Sequence, residues 1–330
     1  MSSDSSIQRL PFSLTQFITD FIWAFQELSS SRKDASLKRA IRFCFHTLLS
    51  LKTSAIWLRF LRESNLLTTS VKEATFVDRI HRPFFDRRCN TTQRSQFLRS
   101  HFSILSRLLD SRQLHLVVSG SGINLATLAG KTGAVIEISL VRLPDYDKEG
   151  AATIVLAMNG RTIQVLTFTI VRQQKKMALK IGGIQTKEYP HIDSRALVRE
   201  VTAALYGIQP RILMIETLRN FAQQLGSEVI ECIGENNHIY RALRYRNKRK
   251  IHAQYNQLWS LVGGTEMADG NFIIPSFIAE KSIESRPSKK RNEYRNRAAL
   301  LEALRSQMIR HPANENKNSI DFSKFTGNKP

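Results

Sequence analysis

The sequence predicts an α/β protein in which a helical N-terminal region is followed by an antiparallel meander and then a mixed sheet with flanking helices. Three observations carry this. Apolar residues recur at helical spacing through the first third, the period falls to two near Leu114, and from Asp193 onward helix start and stop signals alternate with short apolar runs.

In chain order, Leu14, Phe17, Ile18, Phe21, Phe25 and Leu28 recur every three to four residues. After Ser29-Ser30-Ser31 the pattern resumes at Leu37, Ile41, Cys44, Phe45 and Leu48, giving two amphipathic helices. The polar face of the first carries almost no Lys or Arg, so it is expected to dock on the protein's own core and not on an anionic bilayer. Trp57, Leu58 and Leu61 mark a third helical region, and Phe97, Phe102, Leu105 and Leu109 a fourth, from about Gln93 to Leu109. The runs Leu114–Val118, Val135–Val141, Thr153–Met158, Thr162–Val171 and Met177–Ile184 are expected strands. Asn159-Gly160 is the strongest turn signal between them, because both residues accept the positive φ of a type I′ hairpin.

Asp193 can cap a helix to Tyr206 that Gly207 closes, and Pro210 opens a second from Arg211 to Leu225, ended by Gly226. There follow an apolar strand Val229–Ile233, a basic segment Arg241–Lys250, a helix bearing Tyr255, Leu258 and Trp259, the pair Gly263-Gly264 and a strand Phe272–Ile274. A basic helix is expected from Ser288 to about Ile309, with a loose end after Pro312. Length alone suggests two domains; the parts so delimited are residues 1–112, 113–285, 286–312 and 313–330.

The 49 Lys and Arg against 28 Asp and Glu give a net charge of +21 on a chain that is 42% apolar. The excess therefore decorates a folded body and points to an anionic partner, either an anionic membrane surface or a phosphate-bearing ligand. The densest run lies from Arg286 to Arg297, where Lys289, Lys290, Arg291, Arg295 and Arg297 are the candidate anion-binding residues. No helix-turn-helix, zinc-finger or RNA-recognition signature accompanies the charge, and the aromatic residues fall on apolar faces, which argues against nucleic acid. Cys44, Cys89 and Cys232 are odd in number and far apart, so neither a disulfide framework nor a metal site is expected, and a reducing cytoplasm fits. Asp20 interrupts the apolar run that a secretory signal would need, and no stretch reaches the roughly 18 apolar residues of a spanning helix. Any attachment to the inner membrane is expected to be peripheral.

In the first half, Arg82-Pro83-Phe84-Phe85, Arg94, Arg99-Ser100-His101-Phe102 and Lys148-Glu149-Gly150 resemble the VirK/YbjX family of Gram-negative bacteria. In the second half so do Ile181-Gly182-Gly183-Ile184-Gln185, Tyr206 to Arg211, His238 with Tyr240, Tyr255 to Trp259, Gly263-Gly264, Pro287 to Arg291 and Tyr294-Arg295. The resemblance implies a part in envelope remodelling, virulence and resistance to cationic antimicrobial peptides. The second half also resembles an acyltransferase fold of the GCN5-related type, which implies acyl-CoA held at a splayed strand pair and a helix N-terminus. Gly182, Gly183 and Gln185 on the cofactor strand and Arg211 at a helix start are its candidate cofactor-binding residues. The segment Thr186 to Asp193 lacks the glycines with which backbone wraps a pyrophosphate, so either the donor is not an ordinary acyl-CoA or catalysis has been lost.

Acyl transfer requires a base for the attacking amine or hydroxyl and an acid for the leaving group. Glu149 and His238 are the candidate bases, and Tyr240 and Tyr255 the candidate acids. Each also has a plain structural role open to it: a turn for Glu149, a strand-end cap for His238, core packing for the tyrosines. For Arg211 the choice is between a bound phosphate or carboxylate and an ion pair with Glu216. The alternative to an enzyme is a non-catalytic module that binds an anionic membrane or a protein partner through its basic C-terminal face.

Overall fold

The computed structural model describes residues 13–30, 36–64, 74–173, 176–245, 254–279, 282–283 and 286–310. Arg246, Lys248, Arg249 and Lys250 of the basic segment, and the end after Pro312, lie outside them. The N-terminal part is helical: α1 (Leu14–Ser30), α2 (Ser36–Leu49), α3 (Leu51–Glu63), the single turn α4 (Ala74–Val77), α5 (Thr91–Leu108) and α6 (Ser111–Ser119). α1 docks on the core as expected only in part: Ala24 and Leu28 are buried and Phe21 stacks on Phe43 of α2 at 5.5 Å, but Leu14, Ile18 and Phe25 of the expected core stripe are exposed, because Asp20 is turned inward to pair with Arg62.

α6 corrects the sequence reading, which expected a strand at Leu114–Val118. Asp110 and Gln113 form a reciprocal capping box, Gly120 ends the helix in the left-handed conformation at φ 94°, and Leu114, Val117 and Val118 turn inward at helical spacing. The β-branched pair suggested a strand, but two satisfied caps outweigh the weak strand propensity of so short a run. The first strand lies beyond the turn instead.

The sheet comprises β1 (Ile123–Ala129), β2 (Val135–Val141), β3 (Ala152–Met158), β4 (Arg161–Gln173), β5 (Lys176–Thr186), β6 (Val229–Cys232), β7 (Thr265–Glu266) and β8 (Phe272–Pro275), ordered β1-β2-β3-β4-β5-β6-β8-β7. β5 and β6 run parallel and every other pair is antiparallel. The β3–β4 turn is Asn159-Gly160, at φ 50° and 75°. Between β5 and β6 the chain forms α7 (Ser194–Ala204) and α8 (Pro210–Gln224), and α9 (Tyr255–Leu261) and α10 (Ser288–Arg310) follow. Among the described residues no helix is long and apolar enough to cross a membrane.

β4 is buried from Ile163 to Val171, as expected of a central strand covered on both faces. It also outruns its neighbour: β3 pairs with it only as far as Phe168, so the N–H groups beyond would be left open. α5 closes them. Ile170 N donates to His101 Nδ1 at 3.1 Å and Arg172 N to Ser100 Oγ at 2.8 Å, which gives Ser100-His101 a structural purpose. At the β1 edge, Gln307 of α10 accepts from Thr127 N and donates to Thr127 O, both at 2.8 Å.

Since Nδ1 of His101 is an acceptor, the ring is neutral, and burial pushes its pKa down to about 3. His238 is likewise pushed down to about 4 by burial. Both folded-state values lie below the ordinary 6.5, so this stability is complete above about pH 6.5 and is lost as pH falls towards 4. We expect each histidine to contribute a loss of up to about 1.4 kcal/mol per pH unit across that window. Thermal unfolding between pH 7.5 and 5 measures it, and a flat Tm would refute the assignment.

Candidate functional site

The site starts from an irregularity in β5. Thr167 faces Gly183 and Phe168 faces Ile181, so Gly182 is an extra residue, a β-bulge. What fills the bulge is Glu149. A Cβ on Gly182 would lie 1.7 Å from the Glu149 carbonyl oxygen, and one on Gly183 would lie 2.0 Å from Oε2 of the Glu149 side chain. The two glycines thus make room for one residue, Gly182 for its backbone carbonyl and Gly183 for its carboxyl group, which is buried and accepts from Gln185 Nε2.

The loop bearing Glu149 is fixed from the N-terminal part. Arg79, 4% exposed, donates to Gly150 O at 2.9 Å and Asp147 O at 3.3 Å and pairs with the Asp147 carboxylate at 3.2 Å. Its guanidinium carbon lies 5.6 to 5.9 Å from the ring centres of Phe84, Phe76 and Phe102. Burial lowers its pKa to about 10, which leaves it charged at neutral pH. Arg142 holds the other side of Asp147. Phe85, in the left-handed region at φ 61°, donates its N–H to Lys148 O at 2.8 Å. Sequence reasoning missed Arg79. Its signal was a single cation in the apolar run Phe76, Val77, Ile80.

β5 and β6 pair for only three residues, Leu179–Ile181 with Ile230–Cys232, and after the Ile233 N to Ile181 O bond they part. The gap opens into a cleft of about 590 Å³. One wall is the end of β5 from Ile184 to Thr186 with Lys187 just beyond it; the other is aromatic, with His238 stacked on Tyr255 at 5.2 Å and Tyr240 tilted against His238 at 4.9 Å. Gln185, Arg211, His238, Tyr240 and Tyr255, singled out separately in the sequence, all line this cleft. Glu149, Gly182 and Gly183 lie behind Gln185, outside the cleft wall.

The aromatic groups are committed to the scaffold. Tyr255 Oη accepts from Ile184 N at 3.2 Å and donates to Ile184 O at 3.3 Å, while burial and the Glu149 charge push its pKa up. His238 Nδ1 accepts from Tyr240 N at 3.3 Å, and the Gly182 carbonyl favours a proton on the ring. Tyr255 therefore fastens α9 to β5, and His238 caps the turn that carries Tyr240. Arg211 donates to Gln209 Oε1 at 2.8 Å, and Glu216 pairs with Arg219, so the contemplated Arg211–Glu216 pair does not form.

An ordinary acyl-CoA does not fit these residues. On the strand edge past the split, along which a pantetheine would pair, both polar groups of Ile184 are already bonded by Tyr255. The N-terminus of α7 is capped by Asp193, whose carboxylate accepts from Arg195 N and Ala196 N and opposes a pyrophosphate in charge.

The basic run on α10 lies apart from the cleft wall. Lys289, Lys290 and Arg295 are exposed, whereas Arg291 donates to Arg286 O at 3.1 Å. Arg297 donates to Tyr206 O, at the end of α7, and pairs with Glu293.

The family described as "Protein of unknown function (DUF535)" matches residues 32–310. The chain belongs to the DUF535 family. Among curated proteins, the uncharacterized protein YbjX of Escherichia coli K12 is 34% identical over 272 residues, covering 81% of each chain. An uncharacterized protein of Haemophilus influenzae is 24% identical over 146 residues, covering 44% of this chain and 47% of its own. Among solved structures, a mutant of the cAMP-binding acyltransferase from Mycobacterium smegmatis aligns over 62% of each chain at 10% identity, with a TM-score of 0.27, too low to carry a shared fold.

Proposed function

We propose that this DUF535 member is a group-transfer enzyme of the acyltransferase kind, in which Glu149 takes the proton of a hydroxyl or amine entering the cleft beside the end of β5. One observation carries the reading: the bulge at Gly182, the left-handed Phe85 and the buried Arg79 fix the loop that bears Glu149, and the space cleared at Gly183 receives its buried carboxyl group. A carboxyl buried at such structural expense beside a polar cleft is a functional candidate on physical grounds. Gln185, which bonds Glu149 and lines the cleft, is the link between the two, so an acceptor reaches Glu149 by displacing that amide. Arg211 and Lys187 at the cleft orient an anionic group on the ligand. Tyr240 is the remaining candidate for the acid, since the Tyr255 hydroxyl is bonded to both polar groups of Ile184.

The setting, as the family resemblance implies, is the bacterial envelope, and the acyl donor is one other than an ordinary acyl-CoA. A second reading, a binding module without catalysis, draws support from the commitment of His238 and Tyr255 to the scaffold.

Glu149→Gln separates the two, because the isosteric amide keeps the shape and removes the base. With phosphatidylglycerol labelled in its acyl chains and a lysophospholipid acceptor, the wild type should give a transferred product by mass spectrometry. The variant should give less than about one hundredth of it, the scale of a lost general base, at unchanged Tm. Absence of product from the wild type with this donor and with long-chain acyl-CoA would leave the binding reading.

A further inference from the structure

α1 carries a second apolar stripe besides the one that packs. Its acid Asp20 is 1% exposed, held by Arg62 at 2.8 Å and Gln16 at 2.9 Å, whereas Leu14, Ile18, Ile22 and Phe25 are 60, 48, 51 and 39% exposed. On α2, Ala40, Phe43 and Thr47 turn inward while Ile41, Phe45, Leu48 and Leu49 are 59, 59, 72 and 69% exposed. On each helix the outward residues recur at helical spacing and form a second apolar stripe beside the one that packs. The Phe21–Phe43 stack and the Arg39–Asp78 pair at 2.8 Å hold the helices in place, so neither stripe can roll inward.

The α2 stripe is bordered by basic residues. Lys38 and Arg42 flank Ile41 and Phe45 on α2, and Lys52 follows Leu48 and Leu49 at the start of α3. All three are exposed and have no ion-pair partner among the described residues. Their long side chains can hold charge at the level of lipid headgroups while the stripe enters the acyl boundary.

We propose that the α1–α2 face is a docking surface for an anionic lipid bilayer. Charge selects this occupant: a basic rim on a +21 chain complements acidic headgroups, whereas a second copy would bring two rims of like sign together. The proposal is independent of the chemistry in the cleft.

The test is co-sedimentation of the full chain with phosphatidylethanolamine vesicles containing phosphatidylglycerol, against vesicles of phosphatidylethanolamine and phosphatidylcholine. The wild type should bind the anionic vesicles more tightly. Ile18→Ser/Phe45→Ser should weaken that binding by about tenfold or more at both low and high salt, because apolar burial is not screened. Lys38→Gln/Arg42→Gln/Lys52→Gln should weaken it chiefly at low salt.

Unchanged binding by Ile18→Ser/Phe45→Ser, with loss of binding by Lys289→Gln/Lys290→Gln/Arg295→Gln, would overturn the proposal in favour of the α10 face. So would a wild type that binds no vesicle but sediments as a dimer that this double substitution dissociates. A large fall in Tm for the double variant would show that the stripe is covered by the chain itself, and would also overturn it.

Discussion

Gly182→Ala is expected to destabilise the fold by more than about 3 kcal/mol, beyond the usual range for an added methyl in a packed interior. The new Cβ would meet the backbone carbonyl of Glu149 at 1.7 Å, and that carbonyl is not free to yield, because the neighbouring loop is clamped by Arg79. Gly183→Ala is expected to differ in kind. There the clash at 2.0 Å is with the carboxylate itself, which can be pushed aside with smaller loss of stability but with loss of transfer activity. Combining each with Glu149→Ala separates the two. Removing the side chain should rescue the stability of Gly183→Ala, with a coupling of roughly 1–3 kcal/mol, and should leave Gly182→Ala as damaged as before. Urea unfolding of the five variants gives the result; equal rescue of both glycine variants would refute the account of the bulge.

Arg79→Met is the second large effect. It removes a buried guanidinium that serves two carbonyls and one carboxylate and leaves Asp147 to Arg142 alone. Breaking a buried pair from one side costs about 3–5 kcal/mol, and methionine restores the apolar volume against Phe76, Phe84 and Phe102 without restoring the charge. Since the loop it holds bears Glu149, activity should fall further than stability alone explains. The check is to compare Tm with transfer measured well below it. A variant that remained fully active below its Tm would confine Arg79 to the scaffold.

Much of the fold is legible in the sequence wherever the governing interactions are local. Helical spacing in α1 to α3, the Asn159-Gly160 hairpin and the Asp193 and Pro210 helix starts need only near neighbours, and each stands where the pattern puts it. α6 was misread because side-chain propensity and end capping disagree within nine residues, and capping decided.

The candidate site was legible as a set of residues more than as an arrangement. Gln185, Arg211, His238, Tyr240 and Tyr255 meet at one cleft, but which atoms are already bonded depends on partners tens of residues away. The glycines at 182 and 183 illustrate the limit. Adjacent glycines on a strand signal a close approach, and only the tertiary structure shows that the approaching group is Glu149 from the preceding loop.

Gln307 carries a wider consequence. By accepting from Thr127 N and donating to Thr127 O, its side-chain amide imitates one residue of a ninth strand and occupies the outer edge of β1. At the opposite end of the sheet, β7 is only two residues long. An open strand edge is a template for pairing with another molecule; β7 is too short to serve as one, and on β1 the edge is interrupted at Thr127. The last helix thus guards an edge as well as presenting basic residues: a chain ending before it is expected to expose β1 at Thr127 and to associate more readily, which light scattering would measure.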